Sequence, residues 1–151
     1  MTKTDARVLI IDDNVNLARG FAMALGRAGY EVALAHTAED GIQLAAERSP
    51  DAILLDFRMP FVNGVGFLYR LRQLPALYDV PVMVITGASV DTETLADLRD
   101  LHASLRFKPV TLTELLDDTR RLLATRNISH PFSATNQAVQ PSGSVRSDCA
   151  G

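Results

Sequence analysis

Five short apolar runs, separated by longer stretches of helical spacing, restrict the fold of this chain more than any other feature. The runs are Val8–Ile11, Val32–Ala35, Ala52–Leu55, Val82–Thr86 and a weaker Ser104–Phe107. A strand buried on both faces reads as an uninterrupted apolar run, as in a parallel sheet. Between the runs, apolar residues recur at three- and four-residue intervals and share single helix faces. Leu17, Phe21, Leu25 and Ala28 form one such stripe, and Ala38, Ile42, Ala45 and Ala46 a second. Gly64, Phe67, Leu68 and Leu71 form a third, and Leu95, Leu98 and His102 a shorter fourth. The clearest runs through Leu112, Leu115, Leu116, Thr119, Leu122 and Leu123. Strict alternation of this kind predicts an α/β fold, a doubly wound five-stranded parallel sheet with five helices. Thr37 ahead of Ala38-Glu39-Asp40 predicts an N-cap with acids in the first helical turn. Ala28-Gly29-Tyr30 predicts a helix end with glycine at C′.

The predicted folded unit covers residues 5–126. Beyond Arg126 the composition shifts to Ser, Pro, Gln, Asn and Gly without an apolar period. Such a segment buries too little apolar surface to offset its ordering entropy, so residues 127–151 are expected to form a disordered tail or linker. The formal net charge of −3 gives no basic patch, and direct nucleic-acid binding is not expected. The single cysteine, Cys149, excludes an intramolecular disulfide framework. Met1 to Arg7 is polar and has no apolar core of a signal peptide. No apolar run approaches the roughly 18 residues needed to span a membrane. A cytoplasmic location without membrane contact is the expectation.

The chemistry concentrates at the ends of the apolar runs. Asp12 and Asp13 close the first and Asp56 closes the third. If those strands are parallel neighbours, all three carboxylates meet at one sheet edge. Three like charges in one site repel, and a cation among them relieves the repulsion. Oxygen ligands of this kind suit a hard divalent cation, Mg²⁺ above all. Taken singly, each aspartate could equally be the N-cap of the following helix. Thr86-Gly87 puts a hydroxyl at the end of the fourth strand, and Lys108-Pro109 puts an ammonium at the end of the fifth. Pro60 blocks continuation past Asp56 and predicts a loop, and Asn63-Gly64 reads as a turn. Ligands of doubly wound sheets bind outside the carboxyl ends of the strands, where all these residues fall. Two metal-binding acids, a carboxylate nucleophile, a hydroxyl and a lysine make an inventory for phosphoryl transfer.

The set Asp12-Asp13, Asp56-Phe57-Arg58-Met59-Pro60 with Gly64, Thr86-Gly87 and Lys108-Pro109 resembles the receiver domain of bacterial two-component response regulators. The resemblance spans residues 5–126 and implies a flavodoxin-like architecture. It implies that Asp56 is the phosphoacceptor, supplied by a histidine of a sensor kinase or a histidine phosphotransfer protein. It further implies that Asp13, Asp56 and the Arg58 carbonyl bind Mg²⁺, with Asp12 acting through a water. Thr86 would contact the phosphoryl oxygen, Lys108 would pair with it, and the Lys108–Pro109 peptide would be cis. Phosphorylation would switch affinity for a downstream protein that the sequence does not identify. Such a module is not an enzyme in the ordinary sense, although weak self-catalysed phosphorylation and dephosphorylation are expected.

Three departures from the family pattern concern output rather than chemistry. Leu105 stands where an aromatic is usual, Leu101-His102 replaces a small Gly-Ala pair, and Arg106 occupies a commonly apolar strand position. A receiver acting as a phosphorylation-independent interaction module is therefore an alternative. A Mg²⁺-dependent aspartyl phosphatase is a weaker one, because Arg58 stands where such enzymes need a second acid. A nucleotide or flavin carrier is weaker still, since the turn Asp12-Asp13-Asn14 is acidic and lacks a glycine-rich phosphate loop. Homodimerisation through the last two helices, charged at Asp97, Arg99, Asp117 and Arg120, competes with a merely solvated face. His36, His102 and His130 are not spaced as a metal cluster, and His36 is expected to be structural.

Overall fold

The computed structural model describes residues 6–56, 58–59, 62–87 and 89–136, without the side chains of 58–59, 62–63 and 126–136. Its centre is a parallel sheet of β1 (Arg7–Ile11), β2 (Glu31–Ala35), β3 (Ala52–Asp56), β4 (Val82–Thr86) and β5 (Ala103–Phe107). The spatial order is β2-β1-β3-β4-β5. The chain thus winds outward from β1 in one direction through β2 and in the other through β3, β4 and β5. The order reverses between β1 and β3, where Ile11 pairs with Leu55. The crevice of such a sheet opens at that reversal.

The helices are α1 (Val15–Arg27), α2 (Ala38–Arg48), α3 (Gly64–Arg72), α4 (Thr92–Asp100) and α5 (Leu112–Asn136), with a 3₁₀ turn at Pro75–Leu77. Two cores form because side chains alternate across the sheet. Leu9, Ile11, Ile53, Leu55, Val82 and Val84 face one side and pack with Ala45, Phe67, Leu71 and Leu98 of α2, α3 and α4. Val8, Ile10, Leu54, Met83 and Ile85 face the other and pack with Phe21, Leu25 and Leu115 of α1 and α5. β3 and β4 lie centrally and every residue in them is buried. β5 is an edge strand with half-buried and exposed residues, which accounts for its weaker apolar signal.

Local chemistry sets the helix ends. Asn14 accepts from the Leu17 amide at 3.1 Å and caps α1. Thr37 accepts from the Asp40 amide at 3.1 Å and caps α2, as its sequence context predicts. Gly29 follows α1 at φ 101°, a left-handed conformation that glycine adopts without strain. Thr111 and Glu114 form a reciprocal capping box at the start of α5. The Thr111 amide donates to Glu114 at 2.9 Å and the Glu114 amide to Thr111 at 3.1 Å.

Four expectations change. His102 does not lie on α4, which ends at Asp100. It sits at φ 57° in the turn before β5, a conformation in which histidine is several-fold enriched among non-glycine residues. Arg58–Met59 and Val62–Asn63 form a small antiparallel ladder instead of an open loop, and Gly64 opens α3 instead of completing a turn. α5 continues past Arg126 to Asn136, beyond the compositional boundary, whereas residues 137–151 lie outside the described residues. Among the described residues, no helix is long and apolar enough to cross a membrane.

Candidate functional site

The acid pair follows directly from the register of β1. The Asp12 amide donates to the Ala35 carbonyl at 3.0 Å, extending the β1–β2 ladder one step past the strand end. Asp12 Oδ1 then accepts from the Asn14 amide at 2.9 Å, and Asn14 in turn caps α1. The Asp12-Asp13-Asn14 turn is therefore held on both sides, by β2 and by the helix it starts. Asp12 is buried, with 4% of its surface exposed, while Asp13 is exposed. A lone cap would not need two successive acids, one of them desolvated.

Asp56, the last residue of β3, is also buried, at 7% exposure. Because β3 is the neighbour of β1, its carboxylate comes to the same place. One carboxylate oxygen each from Asp12, Asp13 and Asp56 lies within 4.8 Å of the others. Three negative groups this close repel one another unless a cation offsets them. The donor set contains only hard oxygens, which suits Mg²⁺ over the softer transition metals.

Two further predicted residues stand at the ends of β4 and β5, at the same edge of the sheet. Thr86 ends β4 and is fully buried. Its carbonyl accepts from the Lys108 amide at 2.8 Å, so the fifth strand's end is tied to the fourth's. The Lys108–Pro109 peptide is cis. Lys108 Nζ lies 3.7 Å from Asp56 Oδ1. That distance is an ion pair rather than a tight hydrogen bond. Gly87 lies alongside the Lys108 stem, where a Cβ would make an ordinary contact of 3.7 Å with Lys108 Cδ. Asp12, Asp13, Asp56, Thr86 and Lys108 therefore all stand at the carboxyl edge of the sheet. The Arg58 backbone lies two residues beyond Asp56 in the small ladder. Phe57, Pro60 and Ala88 lie outside the described residues, as do Cys149 and the side chain of His130.

Two contacts near this edge are not legible as motifs. His36 Nδ1 lies 2.9 Å from the Asp12 carbonyl. The parallel pairing of Ile11 with Ala35 places residue 36 beside residue 12, a relation visible only once that register is known. Arg106, on β5, makes two short bonds to Asp118 of α5, at 2.6 and 2.7 Å, and a longer one to Glu114 at 3.4 Å. The charge that looked out of place in a strand is thus matched by acids on the facing helix. A cleft of about 640 Å³ lies along β5 and α5, with Ser104, Arg106, Asp118 and Leu122 in its walls and none of Asp12, Asp13 and Asp56 among its lining residues.

Comparison with known proteins agrees with this arrangement. Residues 8–120 match the response regulator receiver domain family. The transcriptional regulatory protein PrrA of Mycobacterium tuberculosis is 33% identical over 138 residues, covering 91% of this chain and 58% of that protein. The response regulator MprA of Mycobacterium ulcerans is 30% identical over 133 residues, covering 88% of this chain and 56% of that protein. The chain thus spans little more than half the length of these relatives. Among solved structures, the chemotaxis protein CheY4 of Vibrio cholerae superposes with a TM-score of 0.73 at 25% identity, covering 79% of this chain and 99% of that one. NtrX from Brucella abortus superposes at 0.78 and 23% identity over 88% of this chain and 30% of that one, which speaks to the fold. With the match covering the sheet from Val8 onward and the strand ends that carry its charged residues, the chain belongs to the receiver domain family of response regulators of two-component systems.

Proposed function

We propose that residues 5–126 form a phosphoacceptor switch that takes a phosphoryl group onto Asp56. The observation that carries this reading is the meeting of three carboxylates within 4.8 Å, with Lys108 Nζ 3.7 Å from Asp56. Asp56 has the nucleophilic oxygen. In a phosphohistidine donor the P–N bond breaks as a carboxylate oxygen of Asp56 forms the new P–O bond, giving an acyl phosphate and free imidazole. Asp13 and Asp56 would ligate Mg²⁺ with the Arg58 carbonyl, and Asp12 would act through a water. Bound there, Mg²⁺ would supply charge neutralisation at the acids and at the phosphoryl oxygens. The Thr86 hydroxyl donates to one phosphoryl oxygen and the Lys108 ammonium pairs with another. A desolvated Asp56 strengthens each of these interactions.

The phosphoryl donor is a histidine on a sensor kinase or a phosphotransfer protein, a reading supported by membership of the receiver domain family. The product state changes affinity for a downstream protein through the equilibrium between two conformations.

The test is chemical. Acetyl phosphate with Mg²⁺ should give a labile gain in mass, abolished by Asp56→Asn and by chelation of the metal. No modification of the native chain at any Mg²⁺ concentration would overturn the proposal.

A further inference from the structure

We propose that His36 is a positioning residue for the acid pair, a role that rests on the phosphoacceptor reading of the site. His36 follows the last residue of β2 and is half-buried. Its Nδ1 lies 2.9 Å from the carbonyl oxygen of Asp12. A carbonyl oxygen only accepts, so Nδ1 carries the proton and donates.

That bond has a consequence for Asp13. The Asp12 carbonyl belongs to the peptide unit that also contains the Asp13 nitrogen and Cα. The unit is planar, so fixing the direction of the oxygen fixes where Asp13 leaves the turn. Asp13 is exposed, and its carboxylate is placed chiefly by its backbone. Asp12 is held separately, by its amide on Ala35 at 3.0 Å and by its Oδ1 on the Asn14 amide at 2.9 Å. Those two bonds engage the Asp12 amide and side chain, and neither of them engages its carbonyl. His36 supplies the missing restraint from a neighbouring strand. Outer partners that orient ligands are worth about 10–100-fold in metal affinity.

His36→Asn and His36→Leu separate the donor from the bulk of the ring. The asparagine amide nitrogen sits off Cγ where Nδ1 sits in histidine and can donate to the same carbonyl, whereas leucine cannot. Magnesium affinity, measured by calorimetry with MgCl₂ on the full chain, should weaken about tenfold in His36→Leu and recover most of that loss in His36→Asn. Amide hydrogen exchange in the metal-free protein gives a readout independent of binding. The Asp13 and Asn14 amides should exchange faster in His36→Leu, while those of β3 and β4 stay as in the native chain. Native exchange at the turn in His36→Leu overturns the proposal, as does equal impairment of both variants, which would make the ring's bulk responsible. A native chain that fails to bind Mg²⁺ sinks the metal reading instead, and the exchange comparison still decides whether His36 holds the turn.

Discussion

Gly41 of α2 lies so close to Ile11 of β1 that a Cβ placed on it would fall 2.7 Å from Ile11 Cδ1. Ile11 Cγ1 and Cγ2 are 3.1 and 3.2 Å from the same point, so turning Cδ1 away would still leave two tight contacts. Ile11 is fully buried and immediately precedes Asp12. The seating of α2 on β1 is therefore coupled to the acid turn.

Gly41→Ala should destabilise the fold by about 1–2 kcal/mol, because overpacking outweighs the gain in helix propensity. Gly20→Ala on α1 should do the opposite. No atom lies within 4 Å of a Cβ at that exposed position, so the change should stabilise by about 0.5–1 kcal/mol. Urea denaturation of the two variants checks the pair. Equal signs would show that propensity, not the Ile11 contact, governs position 41.

Neutralising one member of the acid cluster should stabilise the metal-free protein. Asp12→Asn keeps an oxygen for the Asn14 amide and removes one of three charges that lie within 4.8 Å. The melting temperature without Mg²⁺ should rise by about 2–6 °C. Saturating Mg²⁺ should raise the native chain's melting temperature more than the variant's, since only binding to the folded state contributes. A variant that melts lower than the native chain in chelator would contradict mutual repulsion at the site.

Arg106 and Asp118 should show strong energetic coupling. Asp118 has only 10% of its side chain exposed and Arg106 has 32%. Removing Arg106 leaves a poorly hydrated Asp118 with only the more distant Arg121 at 3.5 Å, so Arg106→Leu should destabilise by about 1–3 kcal/mol. Asp118→Leu should cost less, since Arg106 is more exposed and keeps Glu114. The double variant should be closer to native than the sum of the two. A double-mutant cycle in urea measures the coupling, and strict additivity would count against the pair.

Glu114 ties its stabilising effect to pH. The Thr111 amide, then the Thr111 hydroxyl, hold its carboxyl below the ordinary range, with Arg106 adding a smaller pull in the same direction. A lowered pKa in the folded state means stability that is present above the unfolded value and lost as pH falls through the folded one. Glu114→Ala should therefore melt below the native chain at neutral pH. The gap should close as pH drops through and below the ordinary carboxylate range. A gap that stays constant to strong acid would show that the capping carboxylate contributes nothing.

How far the sequence reaches can be judged element by element. All five strands were legible, because strands covered on both faces must be apolar throughout. β5 was the weakest signal and proved to be the edge strand, with Ser104 and Phe107 exposed. The caps at Asn14, Thr37 and Thr111 are local chemistry, and two of them carry recognisable side-chain patterns within four residues. His102 misled because periodicity does not register a left-handed turn, and Asn63-Gly64 misled because a ladder of two residues has no pattern of its own.

The sequence by itself determined which residues end the strands, and therefore which carboxylates, hydroxyl and ammonium can reach one edge of the sheet. It did so because parallel βα units place every strand end on the same side. Tertiary structure alone decided what those residues touch. Strand order brings Asp56 to Asp12 and Asp13, register puts His36 under the Asp12 carbonyl, and the packing of α5 gives Arg106 its acids. These relations join positions 8 to 44 residues apart and on different elements, and side-chain pattern within one element carries no record of a neighbour on another.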